Sequence, residues 1–185
     1  MAVEGLDRAA AVRRALRALV AEHGFHGASM SAVASHAGVA TGTAYTHYES
    51  KDELVLATYL ETKAELAAAA TEELDPEAPP AARFRSIWLA AHRHLARNPE
   101  HARFLLQVDA SPYKAAAHAA AGDDDPLVAQ AAAPDIVATL LPLPLDVIYE
   151  LGLGPAVRLA AAGTELGDRE LETVASACWR AITQP

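Results

Sequence analysis

The sequence predicts an all-α fold, with an N-terminal three-helix, helix-turn-helix head and a larger C-terminal helical body. Three observations predict it. Alanine makes up about a quarter of the chain, so helix is the favoured local conformation almost everywhere. No stretch alternates apolar and polar residues between turn signals, as a half-buried strand would. Glycines, prolines and capping residues divide the chain into segments of helix length.

Residues 7–23 carry Val12, Leu16, Leu19 and Val20 on one helical face, with Arg8, Arg13, Arg14 and Arg17 on the others. Gly24 supplies a C-terminal stop, and Phe25 is expected to fold back onto the apolar stripe. Ser29 stands where an N-cap belongs. It opens a second helix whose buried side is Met30, Val33, Ala34 and Ala37. Gly38 permits a tight turn with positive φ, and Val39 buries the elbow. A third helix spans 41–48. Ser50-Lys51-Asp52-Glu53 reads as a capping box, Glu53 reaching back to the cap, so a fourth helix starts near Lys51.

Helix, glycine turn, helix is the arrangement that places a second helix in the major groove of DNA while the first crosses the backbone. On the third helix the outward residues are expected to be Thr41, Gly42, Thr43, Tyr45, Thr46 and His47. Glycine permits close approach. Threonine reads a base edge or touches a thymine methyl, and tyrosine or histidine donates to phosphate or base. Lys51 adds a cation to backbone N–H groups already suited to an anion.

The ordered set Gly24-Phe25, Ser29, Val33-Ala34, Ala37-Gly38-Val39, Gly42-Thr43, Tyr45, His47-Tyr48, Ser50-Lys51 and Leu54 resembles the N-terminal domain of the tetracycline-repressor (TetR) family of bacterial transcriptional regulators. The resemblance implies that Thr41 to His47 form a recognition helix, and that Ser29, Tyr45, His47 and Lys51 contact phosphates. Four positions depart from the family pattern. Ala40 replaces the usual capping serine, Ala44 a larger aliphatic residue, Tyr48 the usual phenylalanine and Ala32 a common acidic residue. Ala44 and Tyr48 together suggest a repacked core in which the tyrosine fills the space that alanine leaves.

The fourth helix is expected over 51–73, with Leu54, Ala57, Leu60 and Ala64 on one face, before a break at 74–80. A helix over 81–97 follows (Phe84, Ile87, Trp88, Ala91, Leu95). Asn98-Pro99 opens another through Val108, and Ser111-Pro112 precedes an alanine-rich segment. Gly122-Asp123-Asp124-Asp125-Pro126 is the clearest loop of the body. Two long helices close the chain, over 144–162, where Gly152, Gly154 and Pro155 threaten a kink, and over 168–183. The expected division is a DNA-binding domain at 1–50 and an effector-binding and dimerisation domain at 51–185.

The resemblance further implies a homodimer in which the last two long helices pair with their copies. Ile148, Tyr149, Leu153, Val157, Leu171, Val174, Cys178, Trp179 and Ile182 are the candidate interface, though the same stripes also fit packing within one chain. It implies a pocket for a small effector of unread identity. Trp88, His92, Phe104, Leu105, Val108, Asp109 and Tyr113 are candidates to line it, as apolar walls with a few polar groups. Each also fits an ordinary core.

The charge balance is −9. Up to Leu60 there are five basic residues against six acidic ones, hence −1, which leaves −8 beyond. A near-neutral head and an acidic body orient the head towards DNA. Few cations mean a shallow salt dependence and weak non-specific binding. The single cysteine, Cys178, excludes an internal disulfide framework. Neither a signal peptide nor a membrane span is expected, which predicts a cytoplasmic protein. His92, His94 and His101 lack the spacing of a metal set, and neither a metal nor a cofactor is expected. The expected partners are double-stranded operator DNA, a small-molecule effector and a second copy of the chain. Two alternatives stay open: a regulator-like protein whose head serves as an interaction module without binding DNA, and a small helical enzyme using His92, His94, His118 or Asp109.

Overall fold

The computed structural model describes residues 2–122 and 125–184, with side chains from residue 7 onward. Asp123 and Asp124 of the expected 122–126 loop lie outside the described residues. In chain order the helices are α1 (Ala2–Gly27), α2 (Met30–His36), α3 (Thr41–His47), α4 (Lys51–Thr71), α5 (Pro80–Arg97) and α6 (Pro99–Asp109). They continue with α7 (Lys114–Ala121), α8 (Pro126–Ala131), α9 (Pro134–Val137), α10 (Leu145–Leu151), α11 (Gly154–Ala162) and α12 (Asp168–Ile182). Among the described residues there is no strand, only an antiparallel bridge between Leu140 and Thr183. The chain divides into two compact units. One comprises residues up to 63 together with 103–122, and the other 64–102 together with the chain that follows the loop at 123.

In the first unit the stripe of α1 is the core: Val12, Leu16 and Val20 are fully buried, beside Val33, Ala34, Ala44 and Leu54. Each valine or leucine among them contributes about 1.5–3 kcal/mol through removal from water. Helical geometry is interrupted inside α1 at Gly24, whose φ of 68° and ψ of −179° form a conformation in effect reserved for glycine. The Phe25 ring meets Tyr113 at 4.8 Å and Phe104 at 6.5 Å, residues from the 103–122 segment. Ser29 caps α2 as expected, accepting from the Ala32 N–H at 3.2 Å, and Gly38 makes the following turn with φ 69°.

The α1–α4 contact carries a charged knot. Arg13 and Arg17 both donate to the Glu61 carboxylate, at 2.8 and 2.7 Å. Arg13 also donates to the Tyr48 hydroxyl at 2.5 Å. The Tyr48 hydroxyl thus ties the end of α3 to α1.

In the second unit the core surrounds Trp88 of α5, with Ala156 of α11 and Leu171, Ala175 and Cys178 of α12. Burial pushes the Cys178 thiol up. The single helix expected over 144–162 is two helices. α10 ends at Gly152 (φ −86°, ψ −84°), and α11 begins with Pro155 in its first turn, where a missing N–H costs no helical bond. The break has a use, since the Gly152 carbonyl accepts from Trp88 Nε1 at 3.2 Å, satisfying the indole in the core. Arg83 pairs with Asp135 and Arg85 with Glu172.

Candidate nucleic-acid interface

Of the seven residues of α3, one anchors the helix. Ala44 is fully buried and Tyr48, just past the helix, nearly so. Thr41, Gly42, Tyr45 and Thr46 are exposed, Tyr45 at 51%, while Thr43 and His47 are half-buried. Of the six residues expected to face outward, four are thus exposed and two half-buried. Ala40 gives α3 no side-chain cap. Its carbonyl instead accepts from Thr43 and Ala44 N–H groups at 2.9 and 3.3 Å, which closes the first turn. The Thr46 hydroxyl donates to the Gly42 carbonyl at 2.9 Å, so towards a ligand this threonine offers an acceptor oxygen and a methyl group.

Behind α3, Ser50 accepts from the Glu53 N–H at 3.1 Å, and the Glu53 carboxylate accepts from the Glu49 N–H at 2.6 Å. This is the capping box read from the sequence, displaced by one residue on its return bond. Lys51 is half-buried. Its Nζ donates to the Phe25 carbonyl at 2.5 Å and lies 5.9 Å from the centroid of that ring. Burial lowers its pKa, and the neighbouring Asp52 opposes that shift. Ser29 is exposed, its hydroxyl 3.1 Å from that of Ser31.

The residues expected to line an effector pocket divide between the units. Trp88 and His92 belong to the second. Their rings are parallel with centroids 5.7 Å apart, and His92 is 5% exposed with neither ring nitrogen hydrogen-bonded among the described residues. Burial lowers its pKa. Phe104, Leu105, Val108, Asp109 and Tyr113 belong to the first unit. There Asp109 pairs with His118 at 2.9 Å, and Tyr113 donates to the Asp52 carboxylate at 2.9 Å. Burial, and then that bond, raise the Tyr113 pKa.

Of the residues expected to face a partner copy, Ile148, Val157, Leu171, Cys178 and Ile182 are buried within the chain's own second unit. Of these, Leu171 and Cys178 of α12 pack in the cluster around Trp88. Tyr149, Leu153, Val174 and Trp179 are half-buried, Trp179 packed on Phe84 at 5.2 Å. His101 lies between Glu65 and Glu100, at 3.4 and 3.6 Å, and its ring meets that of His94 edge-on at 5.6 Å.

Sequence reasoning overlooked Asp52 as a partner of Tyr113, and Glu61 as the acceptor of two arginines. Lys51 and Asp52 being adjacent is visible in the sequence; the tyrosine 61 positions further on is not.

Residues 12–58 match the family model described as bacterial regulatory proteins, tetR family, and residues 79–183 match one described as tetracyclin repressor-like, C-terminal domain. The chain is similar to a TetR-family transcriptional regulator from Haemophilus influenzae, at 28% identity over 97% of this chain and 98% of that one, with a TM-score of 0.73. It shares the fold of a TetR-family transcription regulator from Marinobacter aquaeolei, at 22% identity over all of both chains and a TM-score of 0.81. It likewise shares that of a TetR-like regulator from Rhodococcus, at 21% identity over 94% of each chain and a TM-score of 0.70. No curated protein matches the sequence.

Proposed function

Because the chain belongs to the tetracycline-repressor family of transcriptional regulators, we propose that it is a sequence-specific DNA-binding regulator, a ligand-responsive repressor that reads a near-palindromic operator as a homodimer in the cytoplasm. The observation that carries this reading is the outward face of α3, four exposed residues on a helix locked from behind by Ala44 and Tyr48. Gly42 lets the backbone approach the groove. Thr41, Thr43 and Thr46 read base edges, Thr46 as an acceptor from adenine or cytosine amino groups or through its methyl on thymine. Ser29, Tyr45, His47 and Lys51 fix register on phosphates.

A twofold dimer would set two α3 helices about 34 Å apart, one turn of DNA. The segment 145–162, which holds α10 and α11, and α12 are the proposed pairing elements, with the half-buried Tyr149, Leu153, Val174 and Trp179 as the candidates that retain surface for a partner. A small effector, held in the body near Trp88 and His92, acts by its different affinity for two arrangements of the heads. We read the chain as a regulator and not as a catalyst. Among the described residues no helix is long and apolar enough to cross a membrane.

The test is a gel shift of the purified chain on DNA upstream of its own gene, with a pool of random duplexes as a second source of sites. A band competed by the same duplex and not by an unrelated one supports the reading. A folded dimer that shifts no duplex from either source refutes it, and leaves an interaction module.

A further inference from the structure

We propose that Tyr113 is a positioning residue for DNA binding: through the Phe25 ring it holds the Lys51 ammonium where it meets a phosphate. This rests on the DNA-binding reading of the α3 face. Between Arg17 and Lys63 the sequence has a single lysine or arginine, Lys51. In a head of near-neutral charge, the placement of that cation weighs more than it would in a basic one.

Lysine is a point charge on a flexible four-carbon stem, and ordering it on DNA costs rotamer entropy. Here the stem is ordered beforehand. One N–H of the ammonium is given to the Phe25 carbonyl at 2.5 Å, which leaves two for an anion. The Phe25 ring lies 5.9 Å from Nζ. That ring is in turn held by Tyr113, at 4.8 Å and 45°. The Tyr113 hydroxyl donates to Asp52, the residue next to Lys51, at 2.9 Å. Tyr113 itself is fixed by a turn in which its N–H donates to Ser111 Oγ at 3.1 Å, while that hydroxyl donates to the Val108 carbonyl at 2.8 Å. Tyr113 therefore meets the surroundings of Lys51 at two points, the ring beside the ammonium and the adjacent carboxylate. The segment 103–122 belongs to the same compact unit as α3, although residues 48–102 separate them in sequence.

The experiment uses the full-length chain and a duplex that the wild type selects from a random pool. Affinity and its salt dependence are measured for Tyr113→Ala, Tyr113→Leu, Tyr113→Phe, Lys51→Ala and the Lys51→Ala/Tyr113→Ala double variant. Circular dichroism confirms folding, and Tyr113→Leu keeps apolar volume should alanine unfold the unit. Tyr113→Ala and Tyr113→Leu are expected to bind about tenfold more weakly, with the salt slope reduced by about 0.9 for each phosphate that is no longer neutralised. Tyr113→Phe keeps the ring and stays within about threefold of wild type. The double variant binds no more weakly than Lys51→Ala.

Wild-type affinity and slope in Tyr113→Ala and Tyr113→Leu, beside a weakened Lys51→Ala, overturn this proposal and leave the DNA-binding reading standing. So does an equal loss from Tyr113→Ala in the presence and absence of Lys51, or a Tyr113→Phe as weak as Tyr113→Ala. Failure of the wild type to select any duplex overturns the DNA-binding reading, and this proposal with it.

Discussion

Replacing Tyr48 by phenylalanine removes one hydroxyl and little else. The ring is 6% exposed and stays so, hence the apolar area withdrawn from water is the same in both proteins. Two hydrogen bonds go: one from Arg13 at 2.5 Å and one to the Ala9 carbonyl at 3.4 Å. The second is too long to contribute much. The first involves a charged donor, a class that contributes about 1.5–3 kcal/mol. Arg13 is 23% exposed and keeps the Glu61 carboxylate at 2.7 Å. Its pKa is held up chiefly by Glu61, with Tyr48 contributing less and burial opposing both.

The loss from Tyr48→Phe therefore falls near the lower limit, about 1.5 kcal/mol, or about 3–6 °C in Tm for a chain of this size. Urea melts of wild type, Tyr48→Phe, Arg13→Met and the double variant give the coupling directly, and about 1 kcal/mol is expected. A Tyr48→Phe within about 0.3 kcal/mol of wild type, or a strictly additive double variant, would refute the claim that this hydroxyl fastens α3 to α1.

Two glycine substitutions should differ although their φ values match. Gly24→Ala forces a side chain into φ 68°, ψ −179° and should cost about 3 kcal/mol, whereas Gly38→Ala meets no atom within 4 Å and should cost about 1, read from thermal melts. Gly152→Ala places a Cβ 2.8 Å from the Ile148 carbonyl and 3.2 Å from Ile182 Cδ1, so it should destabilise by about 1–3 kcal/mol in the same assay. Burial depresses the His92 pKa below its ordinary value near 6.5, so the unfolded chain takes that proton first. This contribution is constant above about pH 6.5 and falls away from there down to the depressed folded value. His92→Phe should flatten that part of a stability–pH curve; an unchanged curve would contradict the assignment.

Much of the head is legible in the sequence because its boundaries are written in local chemistry. Ser29 and Ser50 act through bonds spanning three residues and Gly38 through its positive φ, and they act where their spacing placed them. What stays unread depends on distant partners. Periodicity shows that Leu171, Ala175 and Cys178 share a face, but not whether that face meets Trp88 or a second molecule; it meets Trp88. Nothing near Phe25 in the sequence announces Tyr113 or Phe104, the two rings that it meets. The helix expected over 144–162 divides because a buried indole has use for the Gly152 carbonyl, a demand arising more than sixty residues earlier in the chain.

The central claim is that the outer face of α3 tells bases apart, and it is tested most directly by repeating the duplex selection with Thr43→Ala and Thr46→Ala proteins. The account predicts that each variant relaxes the preference at one position, mirrored in both half-sites, and keeps the rest of the motif. Recovery of the wild-type motif with undiminished stringency from both variants would contradict it.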